Sequence, residues 1–225
     1  MYPCNSIKDN YNVSEGIELV YEQLFDHYGP QNWWPADSSI EVIIGAILTQ
    51  AVNWSNVEKA ISNLKEANLV SLKKLKEVKE NRLAELIKPS GYYNMKAKKL
   101  KSFVSYIDDN YDLNLNKFTK GKPETIRKKL LDIYGIGPET ADSIMLYAFN
   151  QPKFVIDTYT KRIISRIGYT SEDVSYDKLK ALFEKNLEND SKLFNEYHAL
   201  LVKHAKEHCL KSSPLCIKCP LNKTI

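Results

Sequence analysis

The sequence predicts an all-α fold, and three observations carry that prediction. Apolar residues recur at three- and four-residue spacing along most of the chain, and no run shows convincing period-two alternation. Leu, Lys, Glu and Ala, all good helix formers, are plentiful. Glycine and proline number only 8 and 9 in 225 residues, which argues against a turn-rich all-β or collagenous chain. Hydrophobic residues make up 43%, ordinary for a globular protein and too many for a disordered one. The length suits one or two domains that bury roughly 70% of the unfolded surface without a covalent staple.

The elements follow in order. Ile17, Val20, Leu24 and Phe25 form one apolar stripe. Asp37, Ser38 and Ser39 read as an N-cap cluster ahead of residues 40–48, which are apolar all round and so belong to a buried central helix. Residues 55–64 continue at helical spacing through Val57, Ile61 and Leu64. A short helix with Leu83, Leu86 and Ile87 must end near Pro89, Ser90 and Gly91. Residues 96–107 form a basic helix with Leu100, Phe103 and Ile107 inward. Helices over 125–131, 140–149, 156–167, 176–187 and 194–209 complete the set. No fixed-period repeat or low-complexity segment interrupts them.

No apolar run reaches about 18 residues, so no membrane partner is expected. The polar N-terminus lacks the basic-then-apolar layout of a secretory signal. The expected location is the cytoplasm, where thiols stay reduced. Charge is uneven: residues 65–129 hold 17 Lys and Arg against 8 Asp and Glu, and the rest hold 15 against 20. A basic middle segment suits a polyanion. On charge alone, a solvated surface with no partner explains it equally well.

Residues 130–149, LLDIYGIGPETADSIMLYAF, place Gly135 and Gly137 on either side of Ile136 between two amphipathic helices. Glycines there let backbone approach another molecule closely. The second helix begins near Pro138, and N–H groups at such an end can meet phosphates without reading sequence. Packing alone would also explain a tight turn. Asp157 lies eighteen residues past Glu139, directly after Phe154, Val155 and Ile156.

This pairing of LxxIxGIGPETAD with VIDTYxxR resembles the helix-hairpin-helix DNA glycosylases, the superfamily of endonuclease III. Residues 87–97, IKPSGYYNMKA, are similar to its Gly-x-Tyr-Asn-x-Lys-Ala segment. Residues 43–50, IIGAILTQ, are similar to its helix ending in a DNA-inserting glutamine, here Gln50. Four motifs in matching order span residues 33–219. The resemblance implies a two-domain fold with a central DNA-binding groove. Residues 40–152 would be a helical barrel ending in the hairpin, and residues 1–39 with 153–225 a second helical domain carrying a C-terminal cysteine loop. It implies base excision repair of double-stranded DNA by a monomer, nucleoid-associated in a bacterium or archaeon. The damaged nucleotide is flipped out, because its glycosidic bond is unreachable in the stack.

In that reading Asp157 is the catalytic carboxylate, stabilising an oxocarbenium-like transition state and orienting or deprotonating water. A plain helix N-cap is its other explanation. Gly135, Ile136, Gly137, Glu139, Thr140, Tyr93, Asn94 and Lys96 would contact DNA, and a monovalent cation could sit at the hairpin. Bifunctional members carry a nucleophilic lysine where this chain has Glu139, and a carboxylate cannot form a Schiff base. That points to a monofunctional enzyme. Trp33, Trp34 and Pro35, then Gln50 and Trp54, are similar to the bacterial 3-methyladenine DNA glycosylases. The resemblance makes Trp34 and Trp54 a sandwich for a flipped cationic purine, with Trp33 and Lys206 nearby. Core or lid tryptophans are the other explanation.

Cys209, Cys216 and Cys219 match the first three ligands of the C-x6-C-x2-C-x5-C loop of endonuclease III, which implies a [4Fe–4S] cluster. The fourth position falls on Ile225, and Cys4 reads as a free thiol. The expected substrate is an alkylated purine. An endonuclease III-like enzyme for oxidised pyrimidines, or a non-catalytic DNA-binding protein, are the alternatives.

Overall fold

A computed structural model describes residues 13–221, and among them it is helical with no strand. Cys4 and Ile225 lie outside the described residues. The helices are α1 (Val13–Tyr28), α2 (Ser39–Leu48), α3 (Trp54–Glu66), α4 (Leu72–Glu77), α5 (Glu80–Leu86), α6 (Tyr93–Tyr111), α7 (Leu115–Phe118), α8 (Pro123–Leu131), α9 (Pro138–Ser143), α10 (Thr158–Arg166), α11 (Tyr176–Asn186) and α12 (Ser191–Glu207). The chain divides into two compact units: Trp34–Gln151, and the residues up to Trp33 together with those from Pro152 onward.

In the first unit α2 is the central element, because every residue from Glu41 to Leu48 is buried. Ser38 starts it, its Oγ accepting the Glu41 N–H at 3.3 Å. Ile43, Ile47 and Leu48 are fully enclosed, each worth about 1.5–3 kcal/mol relative to exposure. Around α2 pack Val57, Ala60 and Leu64 of α3 and Leu100, Phe103 and Ile107 of α6. Glu41 is the charged residue of this helix and is paired: Lys65 Nζ lies 2.7 Å from one carboxylate oxygen, and the Asp37 N–H donates to the other at 3.1 Å. That carboxylate therefore pins the segment leading into α2.

After α9 the chain widens into a π-helical turn over Ile144–Ala148, closed by the Phe149 N–H donating to the Ile144 carbonyl at 3.2 Å. The expected regular helix over 140–149 is thus a short α-helix and a π turn. The basic helix starts earlier and ends later than its periodicity suggested, at Tyr93 and Tyr111.

In the second unit Ile17, Val20 and Leu24 of α1 are buried with Leu179 and Phe183 of α11 and with Phe194, Leu200 and Leu201 of α12. Phe154 stacks on Phe183 with ring centroids 4.0 Å apart. The buried Tyr197 hydroxyl donates to the Ile17 carbonyl at 2.8 Å, tying α12 to α1. Phe25, expected on the α1 stripe, is instead exposed and rests against Tyr21.

Candidate functional site

The candidate residues form two groups, one in each unit. The first is the hairpin between α8 and α9. Gly135 has φ +84°, and a Cβ there would lie 2.3 Å from Lys99 Cγ, so both the left-handed backbone and the lysine stem require glycine. Gly137 is different. Its φ is −91° and ψ 179°, and a Cβ would meet nothing within 4 Å. The fold itself does not require glycine at that exposed position.

The hairpin is braced from three sides. Gln50 Nε2 donates to the Gly135 carbonyl at 3.2 Å and to Thr140 Oγ1 at 2.9 Å, and its Oε1 accepts from Lys99 Nζ. Arg127 of α8 forms a two-pronged pair with the fully buried Asp142 of α9, Nε to Oδ1 at 2.7 Å and Nη2 to Oδ2 at 2.9 Å. The first bond of α9 runs from the Ala141 N–H to the Gly137 carbonyl at 2.9 Å, so the N–H groups of its first turn point out of the helix end.

Several expected DNA contacts sit elsewhere. Lys96 is buried, and its Nζ donates to the Leu48 carbonyl at 2.8 Å and the Ser90 carbonyl at 2.6 Å, so it cannot reach a phosphate. Burial and the neighbouring Lys99 ammonium push its pKa down to about 8. Ile136 and Thr140 are also buried, which leaves only their backbone to meet a ligand. Gln50, expected to insert into DNA, is a half-buried brace of the hairpin. Glu139, Asn94 and Gly137 are exposed, and Tyr93 is half-buried. The basic segment presents less free charge than its count implies. Arg127 and Lys96 are engaged inside, Lys101 caps the Leu75 and Lys76 carbonyls, and Lys76 pairs with Asp108 at 2.5 Å.

Trp34 and Trp54 do come together, but not as a sandwich. Their centroids are 4.7 Å apart with planes at 87°, edge to face. Two parallel faces with a base between them are therefore absent from this arrangement. Tyr147 joins the cluster 5.1 Å from Trp34. Gly45 makes it possible, since a Cβ there would lie 2.8 Å from Trp34 Cζ2. All three aromatics are partly buried against the core of their unit.

In the other unit Asp157 caps α10: its Oδ1 accepts the Thr160 N–H at 2.7 Å. Its Oδ2 lies 3.6 Å from Nε2 of His198, a buried residue of α12. Burial pushes this carboxyl up, but His198 and the Thr160 N–H more than offset it and hold it below the usual carboxylate range. Trp33 is half-buried in the same unit, and Lys206 is exposed on α12.

A family model described as HhH-GPD superfamily base excision DNA repair protein matches residues 44–189. The chain belongs to the HhH-GPD superfamily. A Methanocaldococcus jannaschii protein named as a DNA repair glycosylase is 49% identical over 212 residues, covering 93% of this chain and 96% of its own. Endonuclease III of Sulfolobus acidocaldarius is 30% identical over 178 residues, covering 79% and 77%. Among solved structures, the Helicobacter pylori 3-methyladenine DNA glycosylase bound to 1,N6-ethenoadenine is 29% identical at TM-score 0.74, covering 88% of this chain and 98% of that one. A non-covalent endonuclease III–DNA complex is 20% identical at TM-score 0.80, covering 95% of each, and shows the fold. This HhH-GPD protein is thus a base excision DNA glycosylase with the all-α fold of its superfamily.

The C-terminal cysteines of the glycosylase are set apart from one another by different partners. Cys209 is buried, and its sulfur accepts from Arg166 Nη1 at 3.4 Å. Cys219 Sγ lies 3.6 Å from Nε2 of His204. Burial pushes His204 down to about 3, so its ring is neutral at working pH, and its Nδ1 is held by the Tyr28 hydroxyl at 3.1 Å. Among the described residues no three His, Cys, Asp or Glu side chains converge to hold one metal ion. The three thiols are one short of a [4Fe–4S] ligand set, and the described residues do not complete it.

Sequence reasoning missed several residues of this glycosylase's candidate site, among them Lys99, Tyr92, Tyr134, Tyr147, His198 and the Arg127–Asp142 pair. Tyr92 is 77% exposed at a left-handed turn, φ +47°, ahead of α6. Tyr134, also exposed, donates its hydroxyl to Met95 Sδ at 3.3 Å beside the hairpin. A histidine inside the apolar stripe of α12 was the legible signal for His198.

Proposed function

We propose that this glycosylase is monofunctional and releases alkylated purines, such as 3-methyladenine, from double-stranded DNA. The observation that carries the reading is the braced carboxylate of Asp157, capped by the Thr160 N–H and faced by His198, and the sequence adds a carboxylate rather than an amine at Glu139. With the base flipped out, the C1′–N bond breaks and its electron pair leaves with the base. Asp157 offsets the positive charge developing on the sugar. Water then bonds to C1′ through oxygen, and its proton passes to Asp157 and on to solvent. Glu139 offers no amine to form a Schiff base, so the strand stays intact.

The lesion class draws support from the Trp34, Trp54 and Tyr147 cluster. Alkylation makes adenine cationic, a better leaving group and a partner for an indole face. Because the two indoles meet edge to face, the base would use a single flank of the cluster rather than the space between them. The 29% likeness to the H. pylori enzyme points the same way. In this reading the hairpin backbone grips phosphate, with a monovalent cation able to share the contact, and Tyr92 offers a stacking surface.

The test is duplex DNA treated with a methylating agent, with released bases separated chromatographically. Free alkylpurine, an abasic strand uncut until alkali is added, and no borohydride-trapped adduct are expected. Asp157→Asn should abolish release and keep DNA affinity. A strong adduct, or unchanged release by Asp157→Asn, would overturn the reading. An endonuclease III-like action on oxidised pyrimidines is the second reading, favoured by the cysteine spacing and the Sulfolobus relative. Oxidised duplexes in the same assay decide it. The C-terminal loop keeps a cluster-type spacing without a complete ligand set, and no step above runs through it. Anaerobic reconstitution with iron and sulfide, read by the visible thiolate-to-iron band and its loss in Cys216→Ser, tests whether it fills.

A further inference from the structure

We infer that His198 is a positioning residue for Asp157: its ring, set against Oδ2 from a helix distant in sequence, keeps the carboxylate ionised and fixed in plane for the reaction. This rests on the reading of Asp157 given above.

The two oxygens of Asp157 are held in different ways. Oδ1 takes the Thr160 N–H, a contact that any N-cap aspartate makes with its own helix. Oδ2 has His198 Nε2 at 3.6 Å, brought by α12 from 41 positions along the chain. That distance is within ion-pairing range and longer than a hydrogen bond. The Asp157 side chain is 14% exposed and that of His198 9%, so little water stands between the pair and the protein interior. Burial of that degree favours the neutral acid, which could neither stabilise a sugar cation nor take a proton from water.

His198 lies on a buried face of α12. Its neighbours on α12 are the buried Tyr197, Ala199, Leu200 and Leu201, where an apolar side chain would serve the core better. The other buried histidine of α12, His204, is held by Tyr28. His198 is turned to the carboxylate. It is the titratable group acting on Asp157, and Thr160 on α10 acts through its N–H and its side chain. As positive charge develops at the sugar, the ring can close the remaining distance, as contacts around catalytic groups commonly do in the reacting complex.

The test replaces His198 by Phe, which keeps a ring of similar volume, and by Gln, which restores an N–H donor. The first readout needs no substrate: the Asp157 carboxyl is followed by 13C NMR, its signal assigned by loss in Asp157→Asn. His198→Phe should raise its titration, and His198→Gln should return part of the shift. The second readout is single-turnover excision against pH. In His198→Phe the acid limb should move up by the same interval as the carboxyl titration, lowering the rate on the acid side, while DNA affinity stays within about twofold. A histidine that only packs would lower the melting temperature and leave the titration and the acid limb in place, which would overturn the inference. Should His198→Phe not fold, the wild-type ring 15N signals decide. They should follow the Asp157 titration and lose that response in Asp157→Asn, whose asparagine still caps α10. Ring signals indifferent to Asp157 would refute the coupling. If the wild type releases no base from any lesion, the functional reading fails, and the carboxyl titration still judges His198.

Discussion

Alanine at the two hairpin glycines should separate folding from DNA binding. At Gly135 an alanine must hold φ +84°, costing roughly 1–2 kcal/mol. Its Cβ would also stand 2.3 Å from Lys99 Cγ, displacing the stem that bonds Gln50. Melting should fall by roughly 2–8 °C for a chain of this size. At Gly137 the backbone suits any residue and a Cβ meets nothing within 4 Å. The folded state loses nothing, and restricting the unfolded chain should stabilise by about 0.4–1 kcal/mol. If phosphate approaches this exposed backbone, the same methyl intrudes on it. A lost charge-assisted hydrogen bond of about 1.5–3 kcal/mol weakens binding roughly 10- to 150-fold. Fluorescence anisotropy with a duplex holding a stable abasic analogue, at one fixed salt concentration, beside differential scanning calorimetry, reads both quantities. Wild-type affinity in Gly137→Ala would refute the hairpin as the phosphate grip.

Lys96→Met should lower stability by about 2–4 kcal/mol, because two buried carbonyls lose their donor, yet leave DNA affinity of the folded fraction unchanged. Its pH dependence has a definite sign: with a folded pKa near 8, below the unfolded value, the unfolded chain binds the extra proton, so wild-type stability gains from Lys96 as pH rises from 8 to 10. Denaturant titrations of wild type and Lys96→Met across that window should diverge accordingly, and parallel curves would contradict a buried lysine. Trp54→Ala should cost about 2–4 kcal/mol by opening the contact with Trp34 and also slow excision; normal single-turnover excision by the folded variant would remove the aromatic cluster from substrate binding. DNA binding should weaken as salt rises, through counterion release, and affinity indifferent to salt would count against a phosphate-gripping surface.

What the sequence made legible was local. The apolar run of α2 announced a central helix, Ser38 its cap, and Asp157 a cap that the structure indeed forms. The two glycines marked the hairpin between α8 and α9. Elements α4 and α7, at six and four residues, were too short for periodicity to register. The errors concern side chains whose partners lie far along the chain. Lys96 reads as one more cation of a basic helix, and only the approach of the Leu48 and Ser90 carbonyls turns it inward. Trp34 and Trp54 read as the two faces of a sandwich, and the edge-to-face angle they adopt depends on the room left by Gly45. His198 acquires meaning only when α12 packs on α10.

The bracing of the hairpin by Gln50, Lys99 and the Arg127–Asp142 pair bears on when its order is acquired. A loop that stiffens on meeting its ligand gives up conformational freedom at that moment, and its affinity suffers by that amount. Here the freedom is surrendered during folding, by contacts made wholly within one unit of the chain. If the hairpin is the phosphate grip proposed above, it would meet DNA as a rigid template, and the flexible partner in the encounter would be the nucleic acid. Affinity for damaged sites can therefore rise with how easily a lesion lets the duplex bend to that template, before any atom of the damaged base is touched.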